Sequence, residues 1–83
     1  MRLLIAVDME GATGVACRDH VDPRRAEYRR FRRLLTADVN AAFAGALEGG
    51  AGEVVVSDGH ANSGNVLIEE LRPRACRMFR AAV

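Results

Sequence analysis

The stretch Leu3-Leu4-Ile5-Ala6-Val7-Asp8-Met9-Glu10-Gly11 decides the fold. A continuous apolar run with a β-branched centre and end is what a buried strand requires. This one passes directly into two carboxylates. A second stretch repeats the design: Val54-Val55-Val56-Ser57 reads as a short strand, and Asp58-Gly59-His60 follows it. In an open parallel sheet, ligands gather just beyond the carboxyl ends of the strands. Neighbouring strands lie about 4.8 Å apart, so two polar clusters placed there converge on one small volume.

The residues between the two strands supply the crossover. Residues 8–22 contain Gly11, Gly14 and several polar side chains without a helical period, and read as loop. Asp22-Pro23 is a helix start, with Asp as N-cap and Pro at the first helical position. The helix is expected to run to about Leu47, with Tyr28, Phe31, Leu35, Val39, Ala42 and Ala46 as its apolar stripe and Arg25, Arg29, Arg32 and Arg33 largely off it. Gly49-Gly50 ends it. After the second strand, Asn62 or Ser63 is placed to cap a short helix carrying Val66, Leu67, Ile68 and Leu71, which Pro73 stops. A third strand is expected over Ala75–Phe79. This order describes an α/β fold, a Rossmann-like parallel sheet built on a βαβ unit with a short second helix.

The chain has 83 residues, 49% of them hydrophobic and 28% charged, which is a globular composition. A domain of this size buries only roughly 60–65% of its unfolded surface. One long helix and one short one must cover a sheet with two open edges, so the chain is expected either to oligomerise or to form, over residues 1–83, a single N-terminal segment of a larger α/β domain. The net charge of +1 favours no partner. All the basic residues are arginine, half of them between Arg24 and Arg33, but Tyr28 and Phe31 among them have core spacing, and nucleic-acid binding is not expected. Cys17 and Cys76 are too few and too far apart for a disulfide framework. The apolar run at the N-terminus is interrupted at once by Asp8, and no stretch approaches the roughly 20 apolar residues of a membrane span. A cytoplasmic location with reduced thiols is the expectation.

Asp8 and Glu10 are one residue apart, so in strand-like geometry both side chains point the same way. Two carboxylates held together repel, and a divalent cation relieves that repulsion. With the imidazole of His60, the oxygen and nitrogen donors suit Zn²⁺, with Mn²⁺ or Co²⁺ as further options. Asp58 is expected in a supporting role, orienting the His60 ring. His20 reads as an ordinary surface residue. Gly11-Ala12-Thr13-Gly14 is a weak phosphate-cradle signal, lacking both G-x-G-x-x-G and the Walker lysine.

Val7-Asp8-Met9-Glu10-Gly11, followed by Ser57-Asp58-Gly59-His60 and Asn65, resembles the start of the M55 family of metallopeptidases, the D-aminopeptidases of the dipeptide-transport-operon type. The resemblance runs from Met1 to about Pro73. It implies a dinuclear zinc site that removes an N-terminal D-amino acid from short peptides, with Asp8, Glu10 and His60 as ligands and Asp8 as the bridge. It also implies a cytoplasmic homo-oligomer. Further ligands in the family, another His and another Glu, and the histidine that assists catalysis come from positions following those in this sequence, so the resemblance assigns no catalytic residue here. Weak metal affinity and little peptidase activity are expected of these 83 residues alone. Two other readings compete. A haloacid-dehalogenase-like, Mg²⁺-dependent phosphatase would use Asp8 as nucleophile, Glu10 as acid/base and Ser57 on the phosphate, but it leaves His60 without a role and has Ala12 where threonine is expected. The other is a non-catalytic truncated α/β module.

Overall fold

The computed structural model describes residues 1–61 and 63–72 and the backbone of 77–80. Three strands form one parallel sheet in the order β1 (Arg2–Val7), β2 (Glu53–Asp58) and β3 (Arg77–Arg80). The register sets Leu3 beside Val54, Ile5 beside Val56 and Val7 beside Asp58. Alternation then decides the faces. Val54, Val56 and Asp58 are buried on the side where the long helix α1 (Tyr28–Glu48) packs. On the other side Leu4 is 62% exposed. The side-by-side ending of β1 and β2 brings Asp8 and the Gly59-His60 turn together, and the Gly59 N–H donates to the Val7 carbonyl at 3.0 Å.

Helix α1 starts later than the Asp22-Pro23 signal predicts. The Asp22 carboxylate accepts from the backbone N–H of Arg24 and from its guanidinium, each at 3.0 Å, and the Arg25 N–H closes onto the Asp22 carbonyl. These bonds make a local turn, a side-chain alternative to helix that Asp readily offers, and regular helix begins at Tyr28. The buried stripe also differs at its C-terminal end. It runs through Tyr28, Phe31, Leu35, Val39 and Phe43, while Ala42 is exposed. A four-residue step from Val39 leads to Phe43, which packs with Ala51 and Val54 in a second small cluster under the helix end. The helix stops as expected: Gly50 takes φ +95°, the left-handed conformation glycine accepts without penalty, and the Ala51 N–H returns to the Ala46 carbonyl.

Among the described residues, the short helix expected after β2 is reduced to one 3-10 turn, Ile68–Glu70. The reason is competition for backbone N–H groups. Those of Asn65 and Val66 go to the Asp58 carboxylate, and that of Leu67 goes to Thr36 Oγ1 on α1. A segment whose donors are taken by side chains has none left for a helical ladder. Val66 and Leu67 are buried nonetheless. The third strand begins at Arg77, two residues after the expected start. Asn62, Pro73 and Cys76, to which the sequence assigns a cap, a stop and a thiol, lie outside the described residues.

Candidate metal centre

The site is built from two loops that leave the sheet at the same height. Asp8 follows β1 directly, and its Oδ1 accepts the Met9 N–H at 2.8 Å. Met9 is fully buried and pins the loop to the core, so Asp8 and Glu10 on either side of it both point outward. His60 arrives from β2. Its Nδ1 lies 2.9 Å from Asp8 Oδ1 and 3.2 Å from Glu10 Oε1. The donor atoms of the three residues all fall within 4.8 Å of one another. A zinc ion binds such donors at about 2.0–2.2 Å, so two of them on opposite sides are separated by at most about 4.4 Å. The 4.8 Å bound on the set is close to that span.

The hydrogen bonding of the imidazole shows what its inner nitrogen needs. Nε2 lies 2.8 Å from the Val21 carbonyl. A carbonyl only accepts, so Nε2 carries the proton. Nδ1 then faces two carboxylates that also only accept. It must hold a second proton or a metal ion, which is the arrangement of a ligating histidine whose outer N–H is held by a carbonyl. The ring is 11% exposed and, when protonated, forms a charged bridge to both carboxylates. Burial of the ring opposes protonation, but the Val21 carbonyl, Asp8 and Glu10 outweigh it and raise the His60 pKa above its ordinary 6.5. Asp8 is held below its usual 3.8, chiefly by the Met9 N–H, with burial opposing and the His60 bond adding to the shift.

The signs of these shifts fix the pH behaviour. The stabilisation from protonated His60 is fully present below pH 6.5 and is lost as the pH rises through its raised pKa. That from ionised Asp8 is present above pH 3.8 and is lost as the pH falls through its lowered pKa. Zinc must displace the Nδ1 proton. Apparent zinc affinity is therefore expected to fall about tenfold per pH unit below the His60 pKa. Competition with a chromophoric chelator across pH 5–8 measures this, and a flat profile would remove His60 from the site.

Asp58 has a different place from the one the sequence suggests. Its carboxylate is fully buried and does not reach the His60 ring. It accepts from the Asn65 N–H at 2.7 Å, the Val66 N–H at 2.8 Å and the Asn65 amide at 2.8 Å. Asn65, also fully buried, is the hub on the other side of these bonds. Its amide donates to the His60 carbonyl, its Oδ1 accepts from the Tyr28 hydroxyl, and its carbonyl accepts from Arg32 Nε. Asp58 therefore holds the loop that carries His60, with Ala61 and Ser63 at positive φ inside it, and leaves ring orientation to Val21.

Three contributors were not legible in the sequence. No residue type marks the Val21 carbonyl as the partner of His60. Asn65 stands in the recognised motif with no role attached. His20, read as ordinary surface, is half-buried: it stacks on Phe31 at 3.7 Å and its Nδ1 accepts the Ala16 N–H. In the Gly11–Gly14 segment the Ala12 N–H goes to the Met9 carbonyl and that of Thr13 to the Asp38 carboxylate, which leaves neither for a phosphate.

The family model of M55 peptidases, described as D-aminopeptidase, matches residues 1–79. A D-aminopeptidase of Bacillus subtilis (strain 168) is 37% identical over 75 residues, covering 90% of this chain and 27% of that protein. The solved structure of the Zn-dependent D-aminopeptidase DppA from Bacillus subtilis, described as a self-compartmentalizing protease, matches with a TM-score of 0.93 at 34% identity, covering 100% of this chain and 30% of that one. The chain thus spans less than a third of the length of these relatives. The strand-end motifs and the fold that joins them place the chain in the D-aminopeptidase family, M55.

Proposed function

We propose that Asp8, Glu10 and His60 hold zinc in a peptidase that releases N-terminal D-amino acids from short peptides. The observation that carries this reading is the convergence of three donor atoms from two strand ends within 4.8 Å of one another. Bound zinc would supply a Lewis acid and an activated water for amide hydrolysis. The protein's own part is preparatory. The Val21 carbonyl fixes the His60 tautomer, Met9 anchors the carboxylate loop, and the Asp58–Asn65 network fixes the imidazole loop. Three protein donors and a water suffice for one catalytic zinc but not for the pair of ions that the resemblance implies. Donors beyond these residues complete the coordination in this reading, which agrees with the greater length of the relatives.

Homo-oligomeric assembly belongs to the same reading. It is supported by the described self-compartmentalization of DppA and by the open sheet face carrying Leu4. A cytoplasmic location is supported by an exposed free thiol at Cys17; no helix among the described residues is long and apolar enough to cross a membrane. The test is hydrolysis by the protein in its native assembly, with matched D-alanyl and L-alanyl peptides. Release of D-alanine, lost on chelation and restored by zinc, is the expected result. Phosphatase activity with Mg²⁺, or cleavage of the L-peptides alone, would overturn the proposal.

A further inference from the structure

An open cavity of about 310 Å³ shares Glu10 with the metal centre and is lined also by Gly11, Val15, Ala16, Cys17, Arg18 and Val21. Its wall is built, not incidental. His20 ties the segment together by accepting the Ala16 N–H and stacking on Phe31, the Val21 N–H closes a 3-10 turn, Arg18–His20, onto the Arg18 carbonyl, and the Val21 carbonyl holds His60. The charges around the wall are unequally satisfied. Asp19 pairs with Arg25, and Asp22 pairs with Arg24 and Arg25. Arg18 has no ion-pair partner among the described residues, although these carboxylates are its sequence neighbours, and its exposed side chain lines the cavity.

We infer that this cavity receives the residue on the leaving side of the scissile bond and that Arg18 binds its free carboxylate, selecting peptides that end close to the cut. The inference rests on the peptidase reading above. Its logic is one of size and charge. An extended dipeptide spans at most roughly 7 Å, comparable to the width of such a cavity, so a peptide anchored at the Glu10 end presents its C-terminus near Arg18. The small and apolar lining admits a small side chain. A guanidinium meets a carboxylate with two parallel hydrogen bonds, a geometry lysine does not reproduce. A longer peptide would place a neutral amide where the carboxylate belongs and lose that pair.

The test is equilibrium binding of an uncleavable D-alanyl-D-alanine analogue, its scissile amide reduced to a methyleneamine, and of that analogue's C-terminal amide to the zinc-loaded protein in its native assembly, by calorimetry, for wild type, Arg18→Ala and Arg18→Lys. Wild type is expected to bind the free acid about tenfold to a hundredfold more tightly than the amide. Arg18→Ala should remove that preference while leaving amide binding unchanged, and Arg18→Lys should restore only part of it. Equal binding of acid and amide by wild type, or an undiminished preference in Arg18→Ala, would overturn the assignment. Because the readout is binding, failure of the peptidase reading shows separately, as an acid preference without D-alanine release.

Discussion

His60→Ala is expected to lower zinc affinity by roughly 10²–10³-fold, as the loss of one of about four ligands sharing 10–16 kcal/mol implies. D-aminopeptidase activity should fall in parallel. The fold should survive, because His60 lies at a loop and its ring contributes one carbonyl contact and an ion bridge rather than core packing. Chelator competition and a thermal melt on the same preparation separate the two effects. A variant that keeps zinc and loses only stability would show that the imidazole is structural.

Asp58→Ala should do the reverse and unfold the protein first. Its carboxylate is fully buried and accepts two backbone N–H groups and one side-chain amide. Each buried donor left without a partner costs about 1–3 kcal/mol, so a loss of about 3–5 kcal/mol is expected. A chain of this length has only about 4–12 kcal/mol in total. The expected fall in Tm exceeds about 12 °C. Asp58→Asn keeps one oxygen acceptor and should lose less. The metal centre depends on the same bonds, because the loop they hold carries His60, and Asn65 also donates to the His60 carbonyl. A change in Tm below about 4 °C, measured by far-UV circular dichroism, would mean the network is not needed to hold that loop.

The contrast between these two residues shows what the sequence reveals about such a site. Strand existence and order were legible because Leu3–Val7 and Val54–Ser57 are apolar runs with sharp polar ends, and parallel topology follows from the helix between them. The three metal-type side chains were legible because their residue types carry their chemistry wherever the backbone goes. Asp58 has the same residue type as Asp8 and two equivalent oxygens, yet it faces inward because strand alternation places it with Val54 and Val56. That parity is readable once the covered face is known. What its oxygens bind is not, since the partners are main-chain N–H groups of Asn65 and Val66, which every residue but proline possesses. The same limit explains the missing short helix. Its apolar residues have helical spacing, but Asp58 and Thr36 take its donors from other elements. The late start of α1 has a local cause, a competing Asp22 turn, and the Val21 carbonyl carries no residue-type signal at all.

Asp8, Glu10 and His60 together hold zinc in this reading, with the His60 imidazole bound directly to the metal. X-ray absorption at the zinc edge of the zinc-loaded protein, wild type beside His60→Ala, tests it most directly. The predicted result is a shell of nitrogen and oxygen donors at about 2.0–2.2 Å with imidazole scattering that loses one ring in the variant. A sulfur shell at about 2.3 Å, or imidazole scattering unchanged by the substitution, would contradict it.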